Sequence, residues 1–599
     1  MALPQRIERL TPADADNPSA GAAEIRGLKA FIEDYFHIQD TVSYTVSPFD
    51  PEVTSRVNVK EYPYYAVGDG VADDTAAIQA AIDVAGPHTV YVPSGVYKLS
   101  GELMILNRTG ITLEGPGTLH HADTEPAIEI TGSQQIVIRG LTFTADWEDV
   151  WTGGVYTSFP TIGIRANYHT ATQDIRDIWV DGCTWRNTPN DAIYIGGHDG
   201  TDPLAPYGTY NVRLTNNYVD EGLSFLLCEN IRGLLIDGLV VRHRNTLPGH
   251  YTAGTWPAGS IVQDEDIAVV SGHLDRAENI IVNNVMIDAR GTRANPYTGY
   301  LKIHIQANTG CIMPNVSLSN IVIKDNIGSI PNIWGWEGNR CSIVVSDQDW
   351  EDDSYRYSSF QNVTLNNISL QNSAGVYLTT HDCHISNLNI DTIPADWEIG
   401  ALVALDTQGA RSCTFTNVKI ANSLTTERAI ALLGDDIRFT GLRMVNCGGG
   451  FYNSPNLTVT DFLIENCGGV AEGAFYVAGG SGDGITLRNG IFRDCPNTAL
   501  LENINNRPFD CILSGVRFTN NGTNTNIWDG RWRISDCIGL SGVGAALSIR
   551  STTGGLLLPA MITTERDAIT GAGGVLNGMM IYNSTTSTVQ RYINGWGDL

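Results

Sequence analysis

The chain has 599 residues, more than one compact domain usually holds, with 17% charged residues, a formal net charge of −28 and a pI near 4.7. A surface of that sign repels nucleic acid and anionic lipid, and no apolar run approaches membrane-spanning length, so neither is expected as a partner. The 11 cysteines are odd in number and form no CxxC pair, which argues against a regular disulfide framework and for reduced, structural thiols.

In chain order, residues 1–56 begin MALPQRIERLTPADADNPSA, without the apolar core of a secretion signal. A polar stretch then leads into AAEIRGLKAFIEDYF, read as a short amphipathic helix. Residues 57–110 contain DDTAAIQAAIDVA, a second short helix that Asp73 or Asp74 can cap, with Ile78 and Ile82 four apart on one face. VYVPSGVYKLSG reads as the first strand pair. A helix over the open end of a strand stack would shield the edge of the first coil.

Residues 111–542 are dominated by one pattern: apolar, any, apolar, any, a turn residue (Asn, Gly or Asp), apolar, any, apolar. Its clear copies are IVIRGLTF (136–143), IWVDGCTW (178–185), LLIDGLVV (234–241), VSLSNIVI (316–323), VTLNNISL (363–370), CHISNLNI (383–390), CTFTNVKI (413–420), IRFTGLRM (437–444), LTVTDFLI (457–464), ITLRNGIF (485–492) and CILSGVRF (511–518). Weaker copies begin at Ile111, Val212, Ile280 and Trp532, giving about fifteen. Alternation means a strand with one buried face, and the central Asn or Gly is a bend that tolerates left-handed backbone. Two strands joined at a one-residue corner cannot bury their own apolar face. Stacked as coils of a parallel β-helix, they make one continuous core. Asn at successive corners predicts side-chain ladders, and Cys183, Cys447, Cys467, Cys495 and Cys537 share one slot as small buried hydrophobes. From Val363 onward the copies recur every 20 to 30 residues, whereas between Ile136 and Val363 the gaps grow to as many as 47. The excess must leave as loops, which places the expected working face at about residues 144–362.

Residues 543–599 close the chain with LLLP, TTERDAI, GMMIYN and YINGW. This segment is too small to be stable alone, and its strands MMIYN and VQRYIN are expected to bury against copies of themselves.

The run VNVKEYPYYAVGDGVADDTAAIQAAID followed by VYVPSGVYKL resembles the opening of the pectate-lyase-like β-helix family of phage tailspikes and exopolysaccharide-degrading enzymes. Tyr64-Tyr65 stand where the usual form has Phe-Gly. Counting the repeats, the resemblance covers residues 57–540. It implies an all-β, right-handed parallel β-helix acting on a bacterial surface polysaccharide, capsule or lipopolysaccharide. The start of the chain resembles phage tail proteins that attach to the virion, at tail or baseplate. The end resembles a C-terminal module of phage fibres and spikes, which implies a homotrimer carried on the virion, made in the host cytoplasm and acting at the cell surface.

Carboxylates cluster in the enlarged loops beside aromatic rings, on whose flat apolar faces sugars can rest. TADWEDVWTGG holds Trp147 and Trp151. NDAIYIGG holds Asp191 and Tyr194, YVDEGLSF holds Glu221, and TWPAGSIVQDED holds Trp256, Asp264 and Glu265. Glycoside hydrolysis needs two carboxylates flanking the bond, one protonated and one charged. Most acids in these loops are expected to be solvated or turn-capping. NDAIYIGG resembles the family segment N-D-G-I-Y-I-G, whose acid lies at the groove, and GSIVQDED resembles a later G-I-D-I-E-P segment. That resemblance selects Asp191 with Glu221 and either Asp264 or Glu265 as catalytic acids, roles unassigned. In LKIHIQ (301–306), alternation sets Lys302, His304 and Gln306 on the outside of the stack, as a solvated face or as a contact for an acidic sugar. A lyase abstracting the proton α to a uronate carboxylate would use such basic residues. The sequence has no GxSxG, no GK[ST] after its Gly-rich GDGVADD and no compact calcium motif, so no cofactor or metal is expected. Three readings follow: a phage spike that hydrolyses a glycan (or cleaves it by elimination), a spike that only binds it, and a free bacterial polysaccharide enzyme.

Overall fold

The computed structural model describes the strands, one helix and most connecting turns between residues 55 and 539, and the backbone of four short strands between 560 and 598. Residues 1–54, including the expected first helix, and the insertions named below lie outside the described residues. The chain divides into two units, Met1–His384 and Ile385–Leu599.

In the first unit each coil contributes three strands to a parallel β-helix. Gln134–Arg139 and Thr142–Ala145 join at a corner, and Ile162–Arg165 lies in a second sheet. The next coil repeats this with Ile175–Asp181, Thr184–Arg186 and Asp191–Gly196. Strands pair parallel with the coil above and below, in register: Ile136 with Ile178, Ile178 with Val212, Val212 with Leu234. Connections between parallel strands of one sheet turn right-handed. The corner the repeats predict is present in all eleven clear copies. Residue five of each has positive φ, from Gly140 (68°) and Gly182 (61°) through Asn320 (53°) and Asn367 (55°) to Gly515 (65°). Asn tolerates this backbone, and its amide satisfies the neighbouring coil: Asn367 Nδ2 donates to Asn320 Oδ1 (2.7 Å), and Asn362 Nδ2 to Asn315 Oδ1 (3.1 Å).

The core is a stack of identical positions. Along the second sheet Leu103, Ile128, Ile162, Ile193, Leu226, Ile267, Ile303, Ile343 and Val376 lie in successive register, all fully buried. Each such side chain contributes on the order of 2 kcal/mol by burial. Cys183 and Cys228 are buried free thiols; burial pushes Cys183 up to about 12, so neither is a ready nucleophile.

The helix Thr75–Ile82 buries Ile78, Ala81 and Ile82. Asp74 occupies the N-cap position, but its carboxylate turns away to accept Val67 N–H (2.6 Å) and Gly68 N–H (2.9 Å). Asp73 instead accepts Thr75 N–H (3.1 Å) and the Ser100 hydroxyl (2.6 Å), which with the Thr75 hydroxyl lower its carboxyl to about 2. Gln79 donates to Met104 C=O (3.0 Å) and accepts Met104 N–H (2.7 Å). Its amide thus replaces the missing strand beyond Leu103–Leu106, the first strand of the second sheet.

In the second unit the coils are shorter. Phenyl rings stack from coil to coil, Phe415 on Phe439 (4.4 Å) and Phe451 on Phe475 (4.6 Å), and Asn466 donates to Asn446 (3.0 Å). Near its end Met580–Asn583, Thr588–Tyr592 and Trp596–Asp598 form an antiparallel meander, which contains both strands expected of the terminal module. Among the described residues no helix is long and apolar enough to cross a membrane.

Candidate functional site

The insertions of the first unit leave at two corners. One lies where the first sheet hands over to the second, and from it depart residues 146–159, 187–190, 244–265, 290–301 and 326–340, bracketed by the strands on either side. The other lies where the second sheet returns to the next coil.

The first corner is where the expected acids converge. Asp191 opens its strand and pairs with Ser224 of the next coil; its C=O accepts Thr161 N–H (3.1 Å) and its side chain is half-buried. Glu221 lies in Tyr218–Gly222, three residues before Ser224 at the same corner. Asp264 and Glu265 lie outside the described residues, immediately before Asp266 on the following coil, whose C=O accepts Phe225 N–H (3.1 Å). Asp191, Glu221 and residue 266 therefore mark one corner on three consecutive coils. Trp147 and Trp256 are outside the described residues; Trp151 lies in a two-stranded ribbon, Trp151–Thr152 with Val155–Tyr156, within the first insertion.

Lys302 and His304 depart from expectation. Both were placed on an outer polar stripe, yet Lys302 is fully buried and His304 nearly so. The reason for Lys302 is electrostatic. Its Nζ lies 3.8 Å from Asp266 Oδ2 and 3.4 Å from His243 Nε2, and His243 Nε2 lies 2.8 Å from Asp266 Oδ1. His304 sits in register between Ala268 and Val344, and both of these are buried as well. Asp266 and His243 bracket the insertion 244–265, so their contact closes its base.

A second polar row, absent from the sequence reading apart from Tyr194, runs along the outer face of the second sheet. Glu129 is fully buried beneath Arg165, whose Nε and Nη2 donate to its two oxygens (3.0 and 2.7 Å). Burial raises the Glu129 carboxyl, opposed by the Arg165 guanidinium. One coil on, Tyr194 Oη donates to Glu229 Oε2 (3.0 Å), and burial followed by that carboxylate pushes its phenol up, so it stays a donor. Two glycines make room. A Cβ on Gly163 would fall on the Glu129 carboxylate, and one on Gly196 would lie 2.8 Å from the Tyr194 ring. Such positions were visible as IGI and YIG, but nothing local tied them to Glu129 or Glu229.

This geometry can hold a sugar ring against Tyr194 and present carboxylates from neighbouring coils to one glycosidic bond. With it in view, the similarities to known proteins can be stated. Residues 56–124 match the family described as rhamnogalacturonase A/epimerase, pectate lyase-like. Residues 542–597 match a phage tail like trimerisation region. The chain is 32% identical over 169 residues to mannuronan C5-epimerase AlgE4 of Azotobacter vinelandii, covering 27% of this chain and 26% of that protein. It is 62% identical over 178 residues to mannuronan C5-epimerase AlgE1 of the same organism, covering 28% and 11%. The chain thus spans about a quarter of the length of the first relative and about a tenth of the second. Among solved structures it is similar to bacteriophage CBA120 tailspike protein 3, at 10% identity and a TM-score of 0.32 over 97% of this chain and 76% of that one.

Proposed function

We propose that this protein is a trimeric phage tailspike that binds and depolymerises a bacterial surface polysaccharide by glycosidic hydrolysis. The observation that carries the reading is the union, in one chain, of a pectate-lyase-like β-helix start with a phage tail like trimerisation region. Between them the acids collect at one corner of consecutive coils. In this reading Asp191 and Glu221, with Asp264 or Glu265, supply the acid and its charged partner. Tyr194 and the tryptophans Trp147, Trp151 and Trp256 form the sugar platform. Residues 1–56 attach the spike to tail or baseplate.

The test is incubation of the purified protein with capsular polysaccharide and lipopolysaccharide from a panel of hosts. Products are followed by new reducing ends and by the ultraviolet band of unsaturated uronates. Hydrolysis gives reducing ends alone. Asp191→Asn, Glu221→Gln, Asp264→Asn and Glu265→Gln then identify the working pair by losses on the order of 10²–10⁴-fold. A second reading, β-elimination or a related uronate chemistry, is favoured by the mannuronan-modifying relatives and by the basic groups His243 and Lys302 beside Asp266. It requires both signals together. Binding on a susceptible host without either signal would leave an adhesin and sink the enzymatic reading.

A further inference from the structure

Resting on the glycan reading above, we infer that the polysaccharide taken at this corner carries no anionic groups: a neutral or amino-bearing polymer, not a polyuronate, sulfate or phosphate polymer. The second sheet and the residues leading into its strands, from Glu102 to Thr380, present Glu102, Glu129, Asp191, Glu229 and Asp266. Among the described residues of the same strands the Lys and Arg are Arg165 and Lys302. Each of them already faces a carboxylate, Arg165 on Glu129 at 2.7 Å and Lys302 by Asp266 at 3.8 Å.

A sugar carboxylate could engage Arg165 only by displacing Glu129, a fully buried group that would then lose its counter-charge. Lys302 is itself buried and held between Asp266 and His243, so the same exchange would strip Asp266. Protonation does not change the sign. With Glu129 neutral, Glu102, Asp191, Glu229 and Asp266 still outnumber the two cations. The sequence of the insertions adds to the effect. Outside the described strands, residues 146–359 contain thirteen Asp and Glu against six Arg and no Lys. A polyanion approaching this corner meets net repulsion at every range that salt leaves unscreened. Neutral hydroxyls and N-acetyl groups, by contrast, find acceptors in Glu229 and the half-buried Asp191 and a ring in Tyr194. The substrate class thereby differs from the polyuronates on which the mannuronan epimerases are named to act.

The experiment uses the full chain on a panel that holds neutral O-antigen polysaccharides, uronate-bearing capsules, alginate, and the carboxyl-reduced form of each acidic polymer. Binding and product are measured together. The expected result is a best ligand free of anionic groups, with alginate bound at least 100-fold more weakly. A best ligand with a charged group in each repeat, whose binding falls tenfold or more on carboxyl reduction, would overturn the inference and leave the glycan reading standing. Failure to bind any polymer would remove the glycan reading, and the inference with it.

Discussion

Two residues show how the frame tolerates local cost. Tyr65 takes φ of 56° where the usual form of this segment has Gly, and its side chain is largely exposed beside Tyr62. Left-handed backbone costs a residue with a Cβ about 1–2 kcal/mol. Tyr65→Gly should accordingly raise the stability of the chain by about 1 kcal/mol, read as a higher denaturation midpoint at unchanged slope; a lower midpoint would mean the Tyr62 contact outweighs the strain. Glu129 is the second case. Its carboxyl is raised by burial, so the folded chain keeps this proton at pH values where the unfolded chain has released it. The group thus favours folding on the acid side, and that contribution is lost as pH rises through the folded value. Arg165→Met should cost about 3–5 kcal/mol at neutral pH by leaving the carboxylate buried alone. The deficit should shrink toward about pH 5, where protonation removes the charge, as melting curves of the two proteins at both pH values would reveal. A deficit that does not move with pH would mean Glu129 is already neutral beside Arg165.

At the scale of elements, the strand–corner–strand units were readable because one face of each is wet: the pattern in Met313–Lys324 alternates buried and half-buried as cleanly as its letters. The third strand of each coil was harder to read. Ile128–Thr131 and Val376–Leu378 are buried at every position, and covering both faces erases the period of two. For the same reason LKIHIQ misled, since its alternating polar residues are covered as well. The acid corner was legible through Asp191 and Glu221. The Glu129–Arg165 pair was not, because its partners lie 36 residues apart across a coil of irregular length. The end cap was legible as a helix, but its working contact is one amide. Gln79→Ala leaves both Met104 backbone groups without those bonds and should cost about 2 kcal/mol, with faster hydrogen exchange confined to Leu103–Leu106. Uniform exchange along the sheet would show instead that the apolar face of the helix alone closes the end.

For the whole molecule, the match of residues 542–597 to a trimerisation region makes assembly testable apart from chemistry. A chain ending at residue 541 should sediment as a monomer and lose about 10²–10⁴-fold in apparent affinity for an immobilised glycan, while hydrolysis of short soluble oligosaccharides per site persists. Loss of that residual activity as well would place the site between subunits.

The contact between His243 and Asp266 has a longer reach. Two side chains fasten the points where residues 244–265 depart and rejoin, and the register of the flanking strands continues without reference to what lies between. Mutation can lengthen, shorten or replace that stretch while inheritance of the folded frame proceeds undisturbed. A lineage built this way separates the trait that meets a changing host from the trait that survives outside one.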